Sequence, residues 1–178
     1  MGFKDKFDGI RILTVGRLSG EKGQALTIPI LARLRNEGYN VKWYCVGDGE
    51  LRNRYEELIE EYDINEYYVL LESDINPYPY FKECDLYVQP SRFEGYCLTL
   101  AEARVFNKPI VSTNFSGARE QLIDNETGLI VKYDEEELYK AIKKMIYEEE
   151  LRKKFIYNLK KQRVNNREGL EELYKLTF

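Results

Sequence analysis

Six short apolar runs recur along the chain, each closed by a glycine, a proline or a polar turn and each followed by a helical pattern. Ile10 to Val15 is almost continuously apolar and ends at Gly16, as a strand buried on both faces would. Val41 to Val46, Tyr67 to Leu71, Leu86 to Val88, Ile110 to Ser112 and Leu129 to Val131 repeat that signal. Between them the spacing predicts helices. One runs from the first glycine loop to about Asn36, with Pro29 either bending it or marking its true start. A second spans Glu50 to Tyr62, with Leu51, Tyr55, Leu58, Ile59 and Tyr62 on one face. Short helices are expected at Tyr78 to Glu83 and near Gly117 to Ile123, and one opens at about Leu98 with Leu98, Ala101 and Val105 on its apolar face. Beyond Tyr133, Leu138, Ile142, Met145 and Ile146 form one stripe and Leu151, Phe155 and Leu159 another. A polar break over Gln162 to Arg167 then precedes a last helix, Leu170 to Leu176.

Strands that alternate with helices demand parallel pairing, because only a long crossover can return the chain to the same end of a sheet. The expected fold class is therefore α/β, a doubly wound parallel six-stranded sheet in the order 3-2-1-4-5-6. Ligands bind such sheets at the carboxyl ends of the strands, where the order reverses between strands 1 and 4. The loops at that point are Gly16–Gly23 and Arg92–Thr99.

With 178 residues, 43% hydrophobic and 33% charged, the chain reads as one ordinary globular domain. A net charge of −4 excludes a binder of nucleic-acid backbones, which needs a basic face. No apolar run reaches the length of a membrane span, and the start lacks the apolar region of a signal peptide, so a cytoplasmic protein is expected. Cys45, Cys84 and Cys97 show no C-x-x-C spacing and are expected to be reduced and packed as small hydrophobes. There is no histidine, which removes His-based triads and most zinc sites. The plentiful Lys, Asn, Ile, Tyr and Glu fit an AT-rich bacterial genome.

The stretch Arg92-Phe93-Glu94-Gly95-Tyr96-Cys97-Leu98-Thr99-Leu100-Ala101-Glu102-Ala103 turns from the fourth strand into a helix. Such a corner, with unpaired amides at the helix start, is an anion site. Glu94 and Glu102 would repel a phosphate but would accept hydrogen bonds from hydroxyls beside one. A nucleotide sugar carries both groups. Glu94 and Glu102, with seven residues between them and Gly95 after the first, resemble the E-x7-E motif of the retaining glycosyltransferases called group 1 or family 4. Gly16-Arg17-Leu18, Lys22-Gly23, Gly47-Asp48-Gly49, Asp85 with Pro90-Ser91, Lys108 to Thr113, Gly117 with Glu120, and Gly128 to Val131 follow in the order of that family's C-terminal half. The resemblance covers about residues 10 to 163 and implies the Rossmann-like, donor-binding half of a GT-B enzyme. It also implies a boundary: a donor domain over 1–163 and a C-terminal helix over 164–178 that packs on an N-terminal, acceptor-binding domain. By that reading the present chain binds donor weakly and transfers nothing alone, its acceptor being a glycan or lipid, and the full-length enzyme can sit at the inner face of the membrane.

Transfer of a sugar from a nucleotide requires stabilising the departing diphosphate with fixed positive groups. No Asp-x-Asp occurs, so no metal cofactor is expected, and Arg17 and Lys22 supply the cations. The resemblance places Arg17 and Lys22, with Gly16, on the diphosphate and Glu94 near the reacting carbon of the sugar. The amides of Gly95, Tyr96, Cys97, Leu98 and Thr99 would meet sugar and phosphate oxygens, and Cys97, where many relatives have glycine, would narrow the site. Glu102 has two readings: acceptor for the ribose hydroxyls, or partner of Thr99 in a capping box, with the box expected when no ligand is bound. Gly47-Asp48-Gly49 lacks the third glycine of a dinucleotide fingerprint, Arg52 standing there, and serves either the donor pocket or a strand-to-helix turn. The base is expected near Leu71 to Ile75, where relatives often carry a glycine and Glu72 stands here, while Tyr78 and Tyr80 pack or cap. A sugar-nucleotide epimerase or hydrolase of the same fold, and a non-catalytic nucleotide-binding scaffold, are the competing functions.

Overall fold

A computed structural model describes residues 2–74 and 76–162. Its sheet has six parallel strands in the order β3-β2-β1-β4-β5-β6, the expected topology. The strands are β1 (Ile10–Val15), β2 (Val41–Val46), β3 (Tyr68–Leu71), β4 (Leu86–Gln89), β5 (Ile110–Thr113) and β6 (Leu129–Val131). The helices are α1 (Thr27–Asn36), α2 (Arg52–Glu61), α3 (Tyr78–Glu83), α4 (Leu98–Val105), α5 (Ser116–Gln121), α6 (Glu135–Tyr147) and α7, helical over 149–162. The expected polar break and final helix beyond residue 162, and with them the boundary at 163, lie outside the described residues.

Successive strand residues point to opposite faces, and each face carries its own core. Ile12, Trp43, Val88 and Val111 pack with Ile28 and Leu31 of α1, Tyr55 and Ile59 of α2, Leu138, Ile142 and Met145 of α6, and Phe155 of α7. Leu13, Tyr44 and Tyr87 pack with Phe81 of α3, Leu100 and Ala103 of α4 and Ala118 of α5. This two-sided cover explains why the strands read as unbroken apolar runs. The three thiols are buried, Cys45 and Cys84 each pushed up to about 12 by desolvation.

Several elements differ from the sequence reading. The face of α4 that meets the sheet carries Leu100 and Ala103, continuing from buried Cys97, whereas Leu98 is 70% and Val105 55% exposed. The stripe is set by the strand the helix follows, three residues apart from Cys97, and not by the most hydrophobic residue in its first turn. Tyr62 follows α2 as its cap and is exposed. Pro29 is the third residue of α1, in the first turn, where its missing N–H has no partner to lose. Tyr80 is buried, and Tyr78, half exposed, lies with its ring 5.6 Å from that of Phe106.

Glycines hold the carboxyl end of the sheet together by close backbone contact. A Cβ on Gly23 would lie 2.1 Å from the Pro90 carbonyl oxygen, and the residue has φ of 71°. A Cβ on Gly47 would meet the Gly16 carbonyl at 2.0 Å, and one on Gly117 the Gly95 carbonyl at 2.0 Å. Gly20, by contrast, has no atom within 4 Å of such a Cβ. Gly23→Ala should therefore lose about 2–4 kcal/mol of stability. Gly20→Ala should stay within about 0.5 kcal/mol of the parent. Urea unfolding of the two variants checks this, and equal midpoints would contradict it.

Candidate active site

The Gly16–Gly23 loop leaves the end of β1, and the Arg92–Thr99 corner leaves the end of β4, its hydrogen-bonded neighbour. The two segments meet. The Arg92 N–H donates to the Glu21 carbonyl at 2.8 Å, and Gly23 lies against Pro90. Across the junction the Lys22 ammonium pairs with Glu94 Oε1. Their side chains are only 25% and 14% exposed, so the pair is partly shielded from water. Arg17 is exposed and lines a cleft of about 410 Å3 with Ser19, Glu21, Arg92 and Phe93. The loop that carries Arg17 and the Lys22–Glu94 pair thus lie at the same end of the sheet.

Glu94 is held from below by a chain of buried hydrogen bonds. The Tyr87 hydroxyl donates to Gln89 Oε1 at 2.5 Å, Gln89 Nε2 to Ser91 Oγ at 2.8 Å, and the Ser91 hydroxyl to Glu94 Oε1 at 3.1 Å. Tyr87, Gln89 and Ser91 are fully buried. Burial drives the Tyr87 phenol well above its ordinary range, so it remains a donor. Thr113 of β5 fixes the corner from the side, its hydroxyl donating to the Ser91 carbonyl at 2.5 Å. Residue type alone did not mark Gln89, and Ser91 stood out only as part of the Pro90-Ser91 pair of the family resemblance. The available signal was an amide closing an apolar parallel strand just before proline, a place where a buried side chain must find a partner.

The capping box does not form. Cys97 is the residue preceding α4, and no side chain caps the helix. Thr99 lies inside the first turn, and its hydroxyl donates to Gln89 Oε1 at 3.1 Å, with Cys97 Sγ 3.3 Å away. The helix begins at Leu98, so the cap position falls two residues before the one the box requires. Cys97 is 2% exposed and its sulfur belongs to the core on this face, so the thiol does not narrow the mouth. Burial raises its pKa. The Cys97 carbonyl accepts from Gln121 Nε2 at 3.2 Å, which ties α5 to the start of α4.

Gly95, Tyr96 and Leu98 are exposed at the mouth. A Cβ on Gly95 would meet nothing within 4 Å, and one on Gly16 only the stem of Lys22, nearest at 3.5 Å. Packing does not require glycine at either position. The Gly47-Asp48-Gly49 segment is a structural turn: Gly47 and Gly49 pack on the first loop, and Arg52 donates to the Asp48 carboxylate and to the Gly47 and Leu71 carbonyls. Where the base is expected, Leu71, Glu72, Ser73 and Asp74 border a cavity of about 650 Å3 that extends to Phe3, Lys42 and Tyr44. Ile75 lies outside the described residues.

A doubly wound sheet with cationic and carboxylate side chains at its switch point places them where such folds bind their ligands. The comparisons make the class specific. A family model for glycosyl transferases group 1 matches residues 4–162, and the chain belongs to that family. An N-acetylgalactosamine-N,N'-diacetylbacillosaminyl-diphospho-undecaprenol 4-alpha-N-acetylgalactosaminyltransferase of Campylobacter jejuni is 37% identical over 157 residues, 87% of this chain and 41% of that protein. The capsular polysaccharide biosynthesis glycosyltransferase CapM of Staphylococcus aureus is 31% identical, over 94% of this chain and 46% of its own length. Among solved structures, S. aureus TarM in complex with fondaparinux, alpha-GlcNAc-glycerol and UDP superposes with a TM-score of 0.82 at 19% identity, covering 99% of this chain and 37% of that one. Anabaena HepE in complex with UDP gives 0.80 at 20% identity, covering 94% and 49%. The chain thus spans less than half the length of these relatives.

Glu102 stands on α4, half-buried, and desolvation alone raises its carboxyl pKa. The raised value belongs to the folded state. Folding is therefore undisturbed below the ordinary carboxyl range and loses free energy as pH rises through the shifted value. Glu102→Gln should be more stable than the parent at about pH 7, with the difference vanishing near about pH 4. Thermal melts across that range test this; an advantage that grows on acidification would contradict it.

Proposed function

We propose that this chain is the donor-binding half of a retaining, metal-independent glycosyltransferase. It would transfer a hexosyl group from a nucleoside-diphosphate sugar to a glycan or lipid acceptor. Membership of the group 1 family supports the reaction class. The names of the Campylobacter and CapM relatives support an acceptor in lipid-linked or capsular glycan assembly. The observation that carries the reading is the junction itself, where Lys22 and Glu94 are brought together from loops on two neighbouring strands.

Each residue then has a chemical task. Arg17 and Lys22 hold the diphosphate and stabilise the negative charge that grows on it as the glycosidic bond breaks. The unpaired amides at the start of α4 add their partial positive charge. Exposed Gly95 admits the donor close to the backbone. Glu94 accepts from hydroxyls of the sugar, and Glu102, its pKa raised by desolvation and with no ion pair among the described residues, accepts from the ribose. No divalent ion is needed when two side-chain cations and a helix terminus share the load; the absence of Asp-x-Asp agrees with that arrangement. Among the described residues no helix is long and apolar enough to cross a membrane. Attachment of the whole enzyme to a membrane surface remains part of the proposal.

A nucleoside diphosphate at millimolar concentration should shift the amide resonances of Gly16–Gly23 and Arg92–Glu102 with EDTA present. Arg17→Ala should weaken that binding about tenfold, as loss of a charge-assisted hydrogen bond does. Absence of any shift, or a strict requirement for magnesium, would defeat the proposal.

A further inference from the structure

We propose that the Lys22–Glu94 ion pair is a release latch. Without donor, Glu94 occupies the ammonium that a diphosphate needs; a sugar on that diphosphate satisfies Glu94 and frees the lysine. The inference rests on the donor-site reading above.

The two partners are not equally movable. Glu94 Oε1 is seated by the Ser91 hydroxyl, itself fixed by Gln89 and Tyr87, all three fully buried. Lys22 has a long side chain with several rotatable bonds whose stem lies over Gly16, where no Cβ confines it, and its ammonium has no other hydrogen-bond partner among the described residues. Lys22 is therefore the arm that swings, and Glu94 the post it leaves. When the ammonium turns to a phosphate oxygen, a carboxylate that is 14% exposed with the lysine in place keeps a single donor among the described residues, Ser91. An under-satisfied, poorly hydrated carboxylate is costly. Sugar hydroxyls can replace the lost donor; a bare nucleoside diphosphate cannot.

Two consequences follow for the reaction. The site discriminates the sugar-bearing donor from its own product although both carry the same diphosphate. Once the sugar has left, Glu94 reclaims Lys22, and the grip on the product loosens. The coupling thus favours departure of the nucleoside diphosphate after each transfer, a step that limits turnover in many enzymes. Both ligands report one free energy, since whatever the sugar adds through Glu94 is withheld from the product.

Calorimetric titration of the 178-residue chain with UDP, GDP and their glucose esters provides the test. Glu94→Gln should bind the free diphosphate about fivefold tighter than the parent, the size a partly exposed ion pair supports. It should bind the glucose ester no tighter. Plain repulsion between a carboxylate and a diphosphate would also give a gain, so the same substitution is made in Lys22→Met. The latch requires that the gain disappear there; a gain that persists overturns it, as does unchanged or weaker diphosphate binding by Glu94→Gln. Far-UV circular dichroism verifies each fold, and Glu94→Ala replaces Glu94→Gln should the latter not fold, with the same sign expected. Failure of the parent chain to bind any of the four ligands would instead remove the donor-site reading, leaving the two failures distinguishable.

Discussion

Two stretches of backbone, one after β1 and one after β4, come into direct contact at the carboxyl end of the sheet. Gly23 against Pro90 and the Arg92–Glu21 hydrogen bond leave no room for a side chain between them. Everything chemical in the molecule is arranged around this approach. Were the loops spread by the width of a methyl group, the Arg92–Glu21 hydrogen bond could not form. The parallel pairing of β1 with β4 sets the loops side by side, but only glycine lets them touch. Gly47 on Gly16 and Gly117 on Gly95 extend the same device to the neighbouring turns, so the crevice floor is backbone packed on backbone.

Beneath that floor the fold places polar groups where apolar ones would pack more cheaply. Gln89 sits fully buried at the end of β4, accepting from Tyr87 and Thr99 and donating to Ser91. Buried networks of this kind are stabilising only when each member is satisfied. Here the last member is the Glu94 carboxylate, and it is completed by a lysine from another loop. The structural requirement of the core and the chemical requirement of the mouth therefore converge on one side chain. Gln24 and Gln121 play related parts, holding the carbonyls of Arg17 and Cys97, though each leaves its own carbonyl oxygen unpaired.

The sheet was legible from the chain because strands covered on both faces have to be apolar throughout, as Ile10–Val15 and Val41–Val46 are. Six such runs separated by helical spacing leave few topologies open. The positions of Arg17, Lys22, Glu94 and Glu102 near one end of that sheet followed from connectivity alone. What escaped was governed by competition at close range. Thr99 and Glu102 have the spacing of a capping box, but the helix starts at Leu98 and puts Thr99 inside its first turn, where its hydroxyl donates to Gln89 ten residues away. The buried face of α4 follows from where β4 delivers the chain, so Leu98 points outward despite its hydrophobicity. Cys97 reads as an obstruction in the mouth until the fold turns its sulfur into the core. Local pattern cannot rank partners that tertiary structure brings together.

The three cysteines give the fold an internal clock. Each thiol is sealed in the core and held protonated by its surroundings, Cys45 and Cys84 most strongly. A thiol must ionise and meet solvent before it can be alkylated. Cys45 lies in β2, Cys84 at the end of α3 and Cys97 at the start of α4, so three separate regions of the sheet carry a silent reporter. The order in which these sites become accessible to a thiol reagent would give the sequence in which the domain comes apart, with no foreign label introduced.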